Sequence, residues 1–343
     1  MLTARYTGAR SIEIAEQQPD PVGPGQVQIE VAYAGICGTD LHIFHGHMDA
    51  RVDTPAVIGH EMSGVVAAIG AGVTTVQVGD HVTVMPLDWD GTCPACRAGH
   101  QHICQNLNFV GIDSPGALQR LWNVNADLVI PLPADLRLDH AALVEPVAVA
   151  VHDVRRGEVS RGDRVVVIGG GPIGVLIATV ARHQGAEVTV FEVDPGRRAA
   201  VAALGHQVLD PTGTDPVAWV DEWTAGAGAD VAFEVSGAAA AVLLSTDVVK
   251  VRGTVVIVAI HPEPRPMNLQ RVFWRELRLL GARVYERTDF EAAVQLLHDG
   301  VIPADALISA IQPISSTASA FADLESGRAM KVLIDVGSAE VPA

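Results

Sequence analysis

The chain has 343 residues, more than one ordinary core accommodates, so two domains are expected. A hydrophobic fraction of 49% supplies a large core, and a formal net charge of −17 repels phosphate backbones, which excludes nucleic acid as a partner. There is no basic tail for an anionic membrane surface, no low-complexity tract and no internal repeat.

The opening stretch "MLTARYTGARSIEIAEQQPDP" lacks the apolar centre of a signal peptide, so a soluble cytoplasmic protein is expected. Residues 24–150 read as mostly β. "QVQIEVAYAGI" alternates, and "GVVAAIGAGV" and "GDHVTVMPL" are short strands bounded by Gly and Asp. From Asp163 the pattern changes to an apolar strand, a glycine turn, an apolar helix ended by Gly185 and a second strand. The apolar run at 165–181 has the length of a membrane span, but its glycine cluster and strand-like first half predict a buried strand, turn and helix. Strands follow in "ADVAFEVSG" and "GTVVIVAI", with helices expected at 195–205 and 238–250. This alternation predicts an α/β fold with a doubly wound parallel sheet. After about residue 283 a helix, "TDFEAAVQLLHDG", and a closing strand, "KVLIDV", are assigned back to the first domain. The expected division is 1–150 with 284–343, including a small lobe at about 88–106, and 151–283. Basic residues are nearly all Arg. Lys250 and Lys331 are the only lysines, which reads as compositional bias.

"GGGPIG" supplies Gly169, Gly171 and Gly174 as G-x-G-x-x-G between a strand and a helix. Such glycines permit a tight turn, close approach of a pyrophosphate and close helix–strand packing. The helix start at Pro172 and Ile173 aims its N–H groups at phosphate oxygens. Glu192 ends the second strand and is placed to accept hydrogen bonds from both adenine-ribose hydroxyls and to repel a 2′-phosphate, which favours NAD. Arg197 and Arg198 lie near and tolerate a phosphate, or simply form a solvated helix face.

"GICGTDLH" contains Cys37, Thr39, Asp40 and His42. "GHEMSG" contains His60 and Glu61, and "ALVEPVAVAVH" contains Glu145. Singly, each reads as a buried thiol, a core histidine or a surface acid. Together they supply thiolate, imidazole and carboxylate, the ligand types of a catalytic zinc.

With "ALVEPVAVAVHDVRR", "VVVIGGGPIG" and "KVLIDV", these motifs resemble zinc-dependent medium-chain alcohol dehydrogenases over almost the whole chain. The closer resemblance is to the polyol branch, which includes sorbitol and butanediol dehydrogenases. It implies a GroES-like β-barrel catalytic domain beside a Rossmann domain, and hydride transfer between a secondary alcohol and NAD. It further implies that Cys37, His60 and Glu61 ligate the catalytic zinc. Glu145 would hold the metal's water or ligate in a second state, and Thr39 and His42 would relay the proton. Asp40 would orient its neighbours.

The family's structural zinc lobe is spaced C-x2-C-x2-C-x7-C. Here Cys93, Cys96 and Cys104 match and Asp90 takes the first position. An Asp-Cys₃ site is expected, with His100, His102 or a metal-free loop as rivals.

Arg120 matches an arginine of sorbitol dehydrogenases. Val284 before Tyr285 departs from them and, in "VYERTDFE", looks more like butanediol dehydrogenases. The expected substrate is a polyol, vicinal diol or cyclitol. Phe44, His45 and His47 line the pocket or form an exposed loop. A threonine 3-dehydrogenase-like enzyme, a zinc-free quinone reductase and a non-catalytic NAD-binding protein remain the alternatives. The family resemblance implies a homotetramer.

Overall fold

The computed structural model describes residues 1–327 and 329–337. The last six residues of the expected first domain, 338–343, lie outside that range, as does residue 328. Strands run in chain order as β1 (Leu2–Gly8), β2 (Ser11–Glu16), β3 (Gln26–Gly35), β4 (Glu61–Ile69), β5 (His81–Val84), β6 (Leu87–Asp88), β7 (Asn108–Phe109), β8 (Leu121–Asn125) and β9 (Val129–Pro131). Then come β10 (Arg164–Ile168), β11 (Glu187–Phe191), β12 (Gln207–Leu209), β13 (Ala229–Glu234), β14 (Val249–Ile257) and β15 (Arg278–Gly281). The chain closes with β16 (Ile308–Pro313) and β17 (Lys331–Asp335).

Two compact units result. The first comprises Met1–Glu145, Glu286–Gly300 and the chain from Ala304 onward; the second comprises Pro146–Tyr285 with Val301–Pro303. The first unit holds a seven-stranded sheet ordered β16-β17-β3-β4-β5-β9, with β8 also pairing β3. Its long strands alternate as the sequence pattern requires: on β3 Val27, Ile29 and Val31 are fully buried while their neighbours are half-exposed. Gly35 of β3 pairs with Glu61 of β4 on one side and Leu333 of β17 on the other, and that register builds the site below.

The second unit is a six-stranded sheet ordered β12-β11-β10-β13-β14-β15, every adjacent pair parallel. Order reverses between β10 and β13, so the crevice outside their carboxyl ends is where this topology receives a dinucleotide. β10 is apolar throughout because parallel strands are covered on both faces; Val165, Val166 and Val167 are fully buried.

Some elements differ from the expectation. The helix expected at 238–250 spans Ala239–Asp247, because Val249 already pairs with Ala229 as the start of β14. The helix expected at 195–205 ends at Ala203. The β1–β2 hairpin and the edge strand β15 carry too little pattern to be read from sequence. Among the described residues no helix is long and apolar enough to cross a membrane.

Candidate metal and dinucleotide sites

Cys37 leaves β3 and sits at the N-cap of the helix Gly38–Phe44. Its N–H donates to Asp40 Oδ2 at 2.9 Å while its side chain receives the Asp40 backbone N–H, a reciprocal cap that fixes the thiol's position. His60 precedes β4 and is buried, its ring perpendicular to that of Phe109 with centroids 5.3 Å apart. His60 Nδ1 lies 3.6 Å from Asp40 Oδ1, and neither buried atom makes a hydrogen bond. An imidazole whose Nδ1 faces a carboxylate is the usual posture of a metal-ligating histidine.

Glu61 opens β4. A Cβ on Gly35 would lie 2.2 Å from Glu61 Oε2, so the glycine on the middle strand makes room for the carboxylate. From the opposite strand, β17, Lys331 reaches into the same space. Its Nζ donates to Glu61 Oε1 at 2.8 Å, to Oε2 at 2.6 Å and to Ile36 O at 3.2 Å. Ligand atoms of Cys37, His60 and Glu61 lie within 4.8 Å of one another. Glu145, in the first turn of the helix Val144–Arg156, is buried and acts electrostatically on both His60 and Lys331.

Burial pulls the His60 imidazole down, but Asp40, Cys37 and Glu145 outweigh it and hold the group well above its ordinary range. Burial raises the Asp40 carboxyl. Burial also opposes the Lys331 charge, which Glu61 and Cys37 restore. Asp40, Glu61 and Glu145 are 1%, 0% and 4% exposed. Carboxylates this dry need positive charge. Thiolate, imidazole and carboxylate converging there fit a zinc ion. Thr39 is half-buried in the first turn of the same short helix, and His42 is exposed in its last turn, three residues on and so on the same face.

The second cluster is local. Asp90 Oδ1 accepts from the N–H groups of Thr92 and Cys93 at 2.8 and 3.0 Å, and Oδ2 accepts from Asn106 Nδ2 at 2.5 Å. Cys93 Sγ accepts from the N–H groups of Cys96 and Gln105, both at 3.4 Å, and Cys104 Sγ from Asn106 N–H at 3.3 Å. Those backbone donors favour the thiolate, and the Cys93 thiol is lowered to about 7. Ligand atoms of Asp90, Cys93, Cys96 and Cys104 lie within 4.8 Å of one another. Neither His100 nor His102 joins that group; His102 Nδ1 faces Glu286 at 3.8 Å.

In the second unit the glycine turn follows β10. A Cβ on Gly174 would lie 1.9 Å from Gly169 O, so only glycine lets the helix Pro172–His183 pack this close. Gly171 is the N-cap and no side chain caps the helix; Pro172 starts it and Ile173 is half-buried beside it. The N-terminal N–H groups therefore remain for an anion. Glu192, buried at the end of β11, accepts from Gly170 N–H and Asp194 N–H, both at 2.8 Å. Arg198 is committed elsewhere, to Glu192 O, Val193 O and Asp210. Arg197 is exposed.

Residues 23–134 match the alcohol dehydrogenase GroES-like domain family, and residues 172–299 match the zinc-binding dehydrogenase family. The chain is 48% identical over 336 residues to the 2-dehydro-3-deoxy-L-galactonate 5-dehydrogenase of Pseudoalteromonas atlantica, covering 98% of each. It belongs to the zinc-dependent medium-chain dehydrogenases. It is 34% identical to an (R,R)-butanediol dehydrogenase of Neisseria gonorrhoeae, over 90% of this chain and 91% of that one. The solved 2R,3R-butanediol dehydrogenase of Bacillus subtilis superposes with a TM-score of 0.90 at 30% identity, covering 97% and 99% of the two chains.

Within this dehydrogenase some sequence-picked residues take other places. Arg120 pairs with Glu30 at 3.0 Å, both nearly half-exposed. Phe44 is buried against Phe321, ring centroids 5.0 Å apart. Val284 adopts a positive φ of 51° and Tyr285 is fully buried. Lys331, read from composition as bias, is the clearest omission. Both lysines in fact pair with acids, Lys250 with Asp230 and Lys331 with Glu61. Rarity does not single Lys331 out, because Lys250 is equally rare and its pair with Asp230 is part-exposed.

Proposed function

We propose that this dehydrogenase oxidises, reversibly, a secondary hydroxyl of a polyol, diol or sugar acid with NAD. The observation that carries the reading is the Cys37–His60–Glu61 donor group, half-buried at the thiol and buried at the imidazole and carboxylate, oriented by Asp40 and anchored by Lys331. Its relatives act, by name, on a deoxy-sugar acid and a butanediol, so the expected substrate is a polyol, diol or sugar acid.

Cys37, His60 and Glu61 would hold the ion, with Glu145 as the neighbouring carboxylate. Zinc bound there supplies a Lewis acid that lowers the pKa of a substrate hydroxyl. Thr39 would accept the hydroxyl proton as it gives up its own, and His42 would carry one proton on toward solvent. Gly169, Gly171, Pro172, Ile173 and Gly174 would receive the pyrophosphate. Glu192 has oxygen lone pairs left for ribose hydroxyls beyond those holding Gly170 and Asp194. With Arg198 already committed, the choice between cofactors favours NAD.

A second zinc is assigned to Asp90, Cys93, Cys96 and Cys104, where three thiols and a carboxylate meet without help from distant segments. A homotetramer is supported by the free edge at β15 and by Phe273 and Trp274, each 73% exposed on the adjacent helix Leu269–Arg275. Native mass spectrometry checks it. Four free cysteines suit the reducing cytoplasm.

The deciding experiment is a substrate panel run with NAD and with NADP, before and after chelation. It comprises 2-dehydro-3-deoxy-L-galactonate, 2,3-butanediol, sorbitol, inositol and threonine. Turnover that survives verified removal of all zinc would sink the metal reading, and turnover of threonine alone would sink the polyol reading.

A further inference from the structure

Three histidines fall within six residues, His42, His45 and His47, and the function above uses only the first. The segment is anchored by Phe44 on Phe321 and turns at Gly46, whose φ is +79°. His47 thereby folds back on the helix end. Its N–H donates to His42 O at 3.0 Å, and its Nδ1 lies 3.3 Å from His42 Nδ1. At that separation one ring donates and the other accepts, so a single proton is held between the facing nitrogens. The Nε2 atom of each ring is left to exchange protons.

We propose that His47 is the second member of the proton relay, a positioning residue that receives a proton from His42 and releases one to water. The proposal rests on His42 being the relay group. The balance is one proton in and one out. A proton binds His42 Nε2, the shared proton crosses from His42 Nδ1 to His47 Nδ1, and the proton on His47 Nε2 leaves. Proton exchange with water at the two exposed rings then restores the starting tautomers.

The surrounding charges permit this. His45 meets the His47 ring edge-on at 5.5 Å and bonds through Nε2 to Glu325, which also holds Arg10 from the β1–β2 turn. Asp49, further along the same loop, accepts from the Tyr6 hydroxyl at 2.8 Å. Burial, then His47 and His45, hold His42 below its ordinary value, so it is a neutral acceptor at neutral pH.

His47→Gln keeps a hydrogen-bonding side chain and removes the titrating ring. Near pH 6.5 kcat should fall about tenfold, less than the roughly 10²–10⁴-fold supplied by a group that acts directly. The acid limb of the kcat–pH profile should move to higher pH, because His42 loses a neighbouring positive charge. Imidazole in the buffer should restore the rate of His47→Ala. An unchanged profile in His47→Gln, with no imidazole response in His47→Ala, overturns the proposal. His42→Gln separates the two levels. If it turns over normally at every pH, the relay reading itself fails. If it is slow while both His47 variants behave like the parent, only the role of His47 fails.

Discussion

The lobe of Asp90, Cys93, Cys96 and Cys104 draws all its ligand atoms from one short segment held by backbone N–H groups and Asn106. The Cys37–His60–Glu61 centre instead needs three strands in register, and Lys331 stands 270 residues from Glu61. Both offer thiolate and carboxylate to a metal, yet they should fail differently. Damage to the lobe stays local. Damage to the centre removes chemistry and also leaves charge stranded inside a sheet.

The largest contrast should come from Cys37→Ser and Glu145→Ala. Turnover should fall by more than the roughly 10–100-fold typical of a lost outer-shell partner. NADH binding, followed by fluorescence, should stay near that of the parent because the glycine turn lies in the other unit. A Cys37→Ser enzyme with parental kcat and its zinc verifiably gone breaks the comparison at its root.

Lys331→Met tests whether the centre is also a structural element. It strands the Glu61 carboxylate, which is 0% exposed, and should cost the metal-free protein about 3–5 kcal/mol in denaturant unfolding. Adding Glu61→Gln should recover most of that loss. If Lys331→Met unfolds at the parental midpoint, the pair is not holding the strands.

Asp90→Ala should act on the lobe alone. Zinc content after mild chelation should drop from two per chain to one, with kcat unchanged. A parent that itself holds one zinc, and an Asp90→Ala protein identical to it, would make the lobe a metal-free loop.

The smallest effect separates acid sensitivity from both clusters. Thr179 Oγ1 lies 3.0 Å from His206 Nε2 beneath the glycine-turn helix. Burial, then Arg182, push the His206 imidazole down to about 4. Between about pH 6.5 and 4 the unfolded chain binds a proton that the folded chain refuses, so stability falls as pH falls through that window. Discounted for partial solvent access, the loss is on the order of 1–2 kcal/mol. His206→Gln should flatten the fall of Tm with acid. An equal slope in both proteins would place the sensitivity elsewhere.

The family resemblance supplied the ligand sets proposed for both metal sites, and the chain's local patterns were enough for the parallel sheet, the glycine turn and the clustered thiols. Each rests on short-range chemistry: apolar period, turn glycines, thiols a few residues apart. Tertiary structure alone decided that Gly35 clears room for Glu61, that Lys331 arrives there from the last strand, and that Arg198 is spent on carbonyls and Asp210. The reason is register. Which side chains meet across β17, β3 and β4 depends on pairings hundreds of residues apart in the chain, and composition carries no trace of them.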